Sequence, residues 1–242
     1  VSTLTQAPVT VLAVSEIFGP TFQGEGPSVG RRCAFLRLAG CNLACRWCDT
    51  PYSWDWTGAN GLQFDPKVEV RQRSNSDVWD ELRALGTEML VLTGGEPLLQ
   101  QRQVYPVVSA ARAAGWRIEV ETAGTLAPTG ELAELVDAFN VSLKLTNSGN
   151  VRGRRESAPA IAALLATGKA NWKFVVQSAS ELDEVANFER NYGLSPIFIM
   201  PEGTTADAIL ARSRELAVPV LERGWNITTR LHVLLYGNRR GV

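Results

Sequence analysis

The sequence predicts an α/β fold made of parallel β/α units, with helices outside and functional groups at the carboxyl ends of the strands. Three observations support this. Short apolar runs alternate with helix-period segments about six times along the chain. At 242 residues and 45% hydrophobic content, the chain has the size and apolar material of one α/β domain. Polar motifs also recur at the downstream end of successive apolar runs, where a shared site belongs. No low-complexity linker divides the chain, so 1–242 is expected to be a single domain with an N-terminal arm at 1–12 and an irregular loop at 50–76.

The elements follow in order. Residues 1–12 have no clear period and are expected to be extended. AVSEIF at 13–18 alternates and predicts a first strand ending in a Gly19-Pro20 turn. Phe22-Gln23-Gly24-Glu25-Gly26 then sets an amide and a carboxylate beside glycines that let backbone approach a ligand, although an ordinary turn has the same composition. CAFLRLA at 33–39 predicts a buried strand whose one charge, Arg37, must be paired or face a cavity. Cys33 fits there as a small buried hydrophobe. The 50–76 stretch is aromatic and turn-rich, and a loop of that length is usually functional. Trp54 and Trp56 are expected to shield what lies beneath it.

From residue 77 the pattern becomes regular. It predicts helix 77–85, strand 89–93 running into Gly94-Gly95-Glu96-Pro97, helix 98–114 closed by Gly115, and strand 116–122. Helix 130–137, strand 139–145, helix 157–167 and strand 171–177 come next. Ser180 and Asp183 form a candidate capping box for helix 180–190. Strand 196–200, helix 204–218 and a last strand near 225–232 complete the chain.

Composition excludes several classes of function. A net charge of −1 gives no electrostatic reason for nucleic-acid binding. No apolar run is long enough to span a membrane, and no secretory leader pattern opens the chain. Four cysteines in a chain of this length are no disulfide framework. Three of them, Cys41, Cys45 and Cys48, lie in a C-x3-C-x2-C spacing within GCNLACRWCDT. Three thiolates this close converge on a soft metal centre and leave one position open. Such a cluster needs a reducing compartment, and the cytoplasm is expected. A zinc site completed by Cys33 is the alternative that is not an enzyme.

The cysteine spacing is that of the radical S-adenosylmethionine (SAM) enzymes, which this chain resembles. FQGEG at 22–26, FLRLAGCNLACRWCDT at 35–50, LTGGEP at 92–97, ET at 121–122 and MPEG at 200–203 narrow the resemblance to the 7-carboxy-7-deazaguanine synthase family. The resemblance implies a partial (modified) β/α barrel and a 4Fe–4S cluster on the three cysteines, with one iron free to chelate SAM. It also implies a homodimer, an electron donor such as flavodoxin or ferredoxin, and conversion of 6-carboxy-5,6,7,8-tetrahydropterin to 7-carboxy-7-deazaguanine plus ammonia. That product feeds 7-deazapurine biosynthesis of the queuosine type. By the same resemblance, Phe22, Gln23, Gly24, Glu25, Arg37 and Thr93 contact the pterin, and Thr50 binds Mg2+. The SAM contacts are Trp47, Gly94, Gly95, Glu96, Glu121, Ser142, Leu143, Lys144, Met200, Pro201, Glu202 and Gly203.

Two departures from the family stand out. Ala123 replaces the usual asparagine of an ETNG motif, and the tail from His232 to Val242 does not align securely with the substrate-contacting tail of the family. A radical SAM activase acting on a partner protein shares the cysteine spacing and is the rival within the superfamily; it needs an open docking face rather than a closed pocket.

Overall fold

The computed structural model describes residues 11–242. The expected arm at 1–12 therefore lies outside the described residues except for Val11 and Leu12. These open β1 (Val11–Phe22), with Leu12 fully buried. β1 is longer than the expected 13–18 because the chain does not turn at Gly19-Pro20. Its antiparallel pairing with β2 (Arg32–Leu38) slips between Phe18 and Thr21, and a slip of this kind accommodates a proline that has no N–H to donate.

The 50–76 stretch is more ordered than its sequence pattern. It holds a short helix, α1 (Pro66–Glu69), and a strand, β3 (Arg71–Ser74), that pairs antiparallel with β1. β3 is a polar edge strand, RQRS, so it shows no apolar alternation. Ser74 then caps α2 (Asn75–Ala84) by accepting from the Asp77 N–H.

The regular part follows as β4 (Met89–Gly94), α3 (Gln101–Ala113), β5 (Arg117–Thr122), α4 (Gly130–Leu135) and β6 (Ala138–Leu143). Then come α5 (Arg152–Arg155), α6 (Ala158–Ala166), β7 (Ala170–Val176), α7 (Leu182–Tyr192), β8 (Ile197–Pro201) and α8 (Ala206–Glu222). Three expectations are corrected. The single turn α5 was not anticipated. The Ser180 capping box does not form, because Ser180 Oγ pairs with Ser178 Oγ at 2.8 Å and α7 begins two residues later. The last strand shrinks to β9 (Asn226–Ile227), and Leu231–Tyr236 is a helix, α9, that buries Val233.

Among the described residues, nine strands form one sheet in the order β3-β1-β2-β4-β5-β6-β7-β8-β9, with β3 and β9 at its ends. This is a partial barrel. β2 and β4 to β9 run parallel, so their carboxyl ends share one rim. Successive side chains alternate between the faces. The outer set, including Leu90, Leu92, Ile118, Val120, Phe139, Val141, Trp172 and Phe174, joins Val104, Val107 and Val108 of α3 in the main core. The inner set begins with a small cluster of Cys33, Phe35, Met89 and Val91. Toward the rim it turns polar through Arg37, Thr93, Glu121, Ser142 and Lys173.

Candidate active site

The cysteine loop follows β2 and is fixed by backbone from the β4 rim. Gly95 N–H donates to Leu38 O at 3.2 Å and Glu96 N–H to Gly40 O at 2.9 Å. A Cβ on Gly95 would lie 2.2 Å from Gly40 O and 2.8 Å from Cys41 Cβ, so only glycine permits this contact. Each of the three sulfurs already accepts one N–H. Leu43 N reaches Cys41 at 3.4 Å, Asn150 Nδ2 reaches Cys45 at 3.2 Å and Trp54 Nε1 reaches Cys48 at 3.2 Å. Leu43 and Ala123 pack beside them.

This donor set fits an iron–sulfur cluster, whose sulfurs are ordinarily tuned by hydrogen bonds and by a dry surround. Burial pushes the Cys41 thiol up to about 12, so loading the site must expel protons. Cys33 lies apart, fully buried with Phe35, Met89 and Val91. A small hydrophobe suits that apolar position.

Loop 50–76 supports this geometry through residues that the sequence did not single out. Asp55 accepts from the N–H groups of Gly58, Ala59 and Asn60 at 2.7–2.8 Å. That ordering lets Asn60 Nδ2 donate to Cys45 O at 2.9 Å. Trp54 lines the cavity above the cysteines, whereas Trp56, expected to do the same, does not.

A cavity of about 220 Å³ opens over the three cysteines, at the common rim of the strands. On one side, Trp47 Nε1 donates to Asn147 Oδ1 at 3.1 Å, and Lys144 Nζ lies 5.4 Å from the Trp47 ring centre. Lys144 Nζ also donates to Ser142 O and Oγ, both at 2.8 Å. Gly94, Gly95, Met200 and Glu202 complete this side. Leu143, Pro201, Gly203 and Glu96, expected as SAM contacts, are not among the lining residues. Leu143 points into the outer core by strand alternation. The Gly203 carbonyl accepts from Arg230. Glu96 is buried behind the rim, where it caps the turn at Pro97 and accepts from Leu98 N, Thr122 Oγ1 and Ala123 N.

Phe22, Gln23, Gly24, Glu25, Arg37, Thr93 and Thr50 also line the cavity, as does Glu121. Its carboxylate accepts from Gln23 Nε2 at 3.1 Å and Thr93 Oγ1 at 2.9 Å. Arg37 Nε donates to Glu16 at 2.9 Å, a bond that does not engage its two terminal nitrogens.

Glu25 pairs with Lys173 and, at 3.7 Å, with Arg230. Burial would push the Glu25 carboxyl up, but Lys173 and Arg230 outweigh it and hold the group well below the usual carboxylate range. Arg230 also pairs with Asp49 and so joins the QGEG loop, the cysteine loop and the Gly203 turn. Sequence pattern did not flag Arg230, which lies in a stretch expected to be a strand. His232 packs on Gly24, where an added Cβ would lie 2.3 Å from its Nδ1; burial pushes its imidazole down.

Near Ala123, Asn42 Nδ2 donates to Thr125 Oγ1 at 2.9 Å.

Residues 36–152 match the Radical SAM superfamily model. A 7-carboxy-7-deazaguanine synthase from Pyrobaculum aerophilum is 36% identical over 230 residues, covering 94% of this chain and 96% of the relative. The chain belongs to the 7-carboxy-7-deazaguanine synthase family. A family member from Bacillus cereus is 30% identical and covers 96% of this chain. The crystal structure of QueE from Escherichia coli superposes with a TM-score of 0.68 at 23% identity, covering 92% of this chain and 95% of that one. At that identity it shows the fold alone, and the fold agrees with the partial barrel.

Proposed function

We propose that this enzyme converts 6-carboxy-5,6,7,8-tetrahydropterin to 7-carboxy-7-deazaguanine with loss of ammonia, in 7-deazapurine biosynthesis. The observation that carries the proposal is one cavity lined by the three cysteines, by Trp47, Lys144 and Ser142, and by a Gln23–Glu121–Thr93 network with Arg37. When bound, the 4Fe–4S cluster and SAM supply a carbon-centred radical that abstracts hydrogen from the substrate.

The chain's own residues hold and shield the reactants. Cys41, Cys45 and Cys48 hold the cluster. The backbone of Gly94 and Gly95, the Trp47 ring, Ser142 and Lys144 would hold SAM, with Met200 and Glu202 lining the same cavity. Arg37 receives the substrate carboxylate on its terminal nitrogens, a two-point match that fixes orientation. Gln23, Thr93 and Glu121 present donors and acceptors to the polar pyrimidine edge of the pterin. Phe22, Phe18 and Trp54 exclude water, so that the reacting carbons meet close and dry.

Mg2+ would be held by Thr50, which lines the cavity with its hydroxyl 3.7 Å from Cys48 Sγ. A magnesium ion usually takes only one or two protein oxygens. Thr50→Ala is expected to keep iron and SAM binding but lose most magnesium stimulation. Thr50→Ser keeps the oxygen and should stay near the parent, and titration of activity with Mg2+ measures both. An electron donor of the flavodoxin or ferredoxin type and a homodimer complete the proposal.

A cavity that is walled on both sides favours a small molecule over the docking face an activase needs. The test is anaerobic incubation of the purified enzyme with SAM, dithionite, Mg2+ and the carboxytetrahydropterin, without any partner protein. Mass analysis should find the deazaguanine acid, and its absence from cluster-loaded enzyme would refute the proposal.

A further inference from the structure

The chain leaving β6 runs beside the cysteine loop and bonds to it three times. Asn150 Oδ1 accepts from Ala44 N–H at 2.9 Å, Ser148 O from Arg46 N–H at 3.0 Å, and Asn147 Oδ1 from the Trp47 ring. The loop is thus held just before Cys45, just after it, and just before Cys48. The segment is itself held from behind. Glu184 of α7 accepts from Thr146 N–H and Oγ1, both at 3.0 Å, and Arg155 donates to Lys144 O at 2.6 Å. Glu181 accepts from Asn147 Nδ2 at 2.8 Å. Gly149 has a φ of 79°, and a Cβ there would lie 2.6 Å from Arg46 Nε, so only glycine lets the two segments lie this close.

An amide side chain can be turned either way, and here its neighbours decide the orientation. Ala44 N–H needs an acceptor, so Oδ1 of Asn150 faces it and Nδ2 faces the other way. Nδ2 then reaches Cys45 Sγ at 3.2 Å and Ser148 Oγ at 3.3 Å, one for each of its hydrogens. Of the three donors to the cysteine sulfurs, Leu43 N and Trp54 Nε1 lie within six residues of their sulfur. Asn150 comes from 105 residues away, on the segment that carries Lys144.

We propose that Asn150 is a positioning residue for the iron–sulfur cluster: it fixes Cys45 through Ala44 and raises the reduction potential by donating to the Cys45 sulfur. The proposal rests on the three cysteines holding the cluster. Reduction adds negative charge, part of which falls on the thiolate sulfurs. A donor aimed at a sulfur stabilises that charge more in the reduced form than in the oxidised form, and so shifts the couple upward. Cys45 is 7% exposed, and in so dry a place a hydrogen bond keeps its electrostatic strength. The backing from Glu184, Arg155 and Glu181 holds the donor in place before the electron arrives, so no reorganisation is needed when it does.

The test compares anaerobically reconstituted parent and variants by iron and sulfide content and by a redox titration of the cluster, followed by electron paramagnetic resonance without SAM. Asn150→Leu fills the same volume and removes both bonds. Poised at the parent's midpoint, its ratio of reduced to oxidised cluster should fall by roughly 3- to 10-fold, the scale of one hydrogen bond. That ratio is a drop of about 30–60 mV for a one-electron couple. Asn150→Asp keeps the acceptor for Ala44 and replaces the donor by an anion, so it should load iron like the parent while its potential falls further. Asn60→Ala loses a bond to Cys45 O without touching the sulfur, and should keep the parent's potential in whatever cluster it holds.

A loaded Asn150→Leu or Asn150→Asp enzyme with the parent's potential would overturn the proposal, as would an equal drop in Asn60→Ala. If Asn150→Leu takes up too little iron to titrate, hyperfine spectroscopy of the reduced parent, isotopically labelled at asparagine nitrogen, decides instead. A coupling between the label and the cluster is expected, and its absence would overturn the proposal. A parent that assembles no 4Fe–4S cluster fails the proposed function itself; a loaded parent beside an indifferent Asn150→Leu fails only this assignment.

Discussion

The two faces of the sheet are made by the same strands and do different work. Along β4, Leu90 and Leu92 point outward into the helices, while Met89, Val91 and Thr93 point inward. β5 sends Ile118 and Val120 outward, and Glu119 and Glu121 inward. β7 sends Trp172 and Phe174 outward, and Lys173 inward. The outer face needs only apolar residues of suitable volume, and many sequences meet that requirement. The inner face has to satisfy each buried charge, because an unpaired one costs several kcal/mol. Substitutions on the outer face should therefore lower stability, and those near the inner rim should lower binding and turnover.

The largest expected effect separates two kinds of inward cysteine. Alanine at any one of Cys41, Cys45 or Cys48 should abolish SAM cleavage and most of the iron. Cys33→Ala, on the same face but deeper among Phe35 and Met89, should keep both. Iron and sulfide assays on the four folded variants distinguish them, and loss of the cluster in Cys33→Ala would break the division between floor and rim.

Lys173→Met should destabilise the protein by about 3–5 kcal/mol, because it leaves the Glu25 carboxylate buried without its main partner. Adding Glu25→Gln should restore much of the melting temperature without restoring substrate binding. The parent pair has a pH signature as well. The Glu25 carboxyl falls from 4.5 to about 2 on folding, so its contribution is complete above 4.5 and is lost as pH falls toward 2. Denaturant titrations at pH 7, 4 and 3 should show a loss that the double variant lacks.

Smaller still is Arg37→Lys, which keeps the charge and loses the two-point fork. Pterin affinity should fall by about 1–3 kcal/mol while SAM affinity holds. Equal losses for both ligands would make Arg37 a general structural charge instead.

The sequence displayed the outer face well and the inner face unevenly. The apolar run at 89–93 and the alternation in 116–122 predicted β4 and β5 closely, because burial against helices leaves an apolar trace. Cys41, Cys45, Cys48 and the Gly94-Gly95 turn were legible because their chemistry demands those residues at that spacing. Glu16, Asp55, Asn150 and Arg230 were not, since each acts through a partner distant in sequence, as Asn150 does on Cys45. No local pattern encodes such a pairing. Glu96 and Leu143 were placed at the rim by their motifs; the Glu96 side chain ties β4 to β5 from behind and that of Leu143 faces outward. β3 escaped notice because an edge strand of RQRS buries too little to impose a period.

Leu92 and Thr93 are adjacent on β4, both buried and on opposite faces, so pterin affinity measured by calorimetry on the cluster-loaded, SAM-bound enzyme tests the division most directly. Leu92→Ala should cost about 2–5 kcal/mol of stability through the cavity it opens, with a pterin Kd close to the parent's. Thr93→Val removes the donor to Glu121 and should weaken the pterin about tenfold, the scale of one hydrogen bond to a charged group, at a smaller cost in stability. A Leu92→Ala enzyme that loses pterin affinity as heavily as Thr93→Val would contradict the division of labour between the two faces.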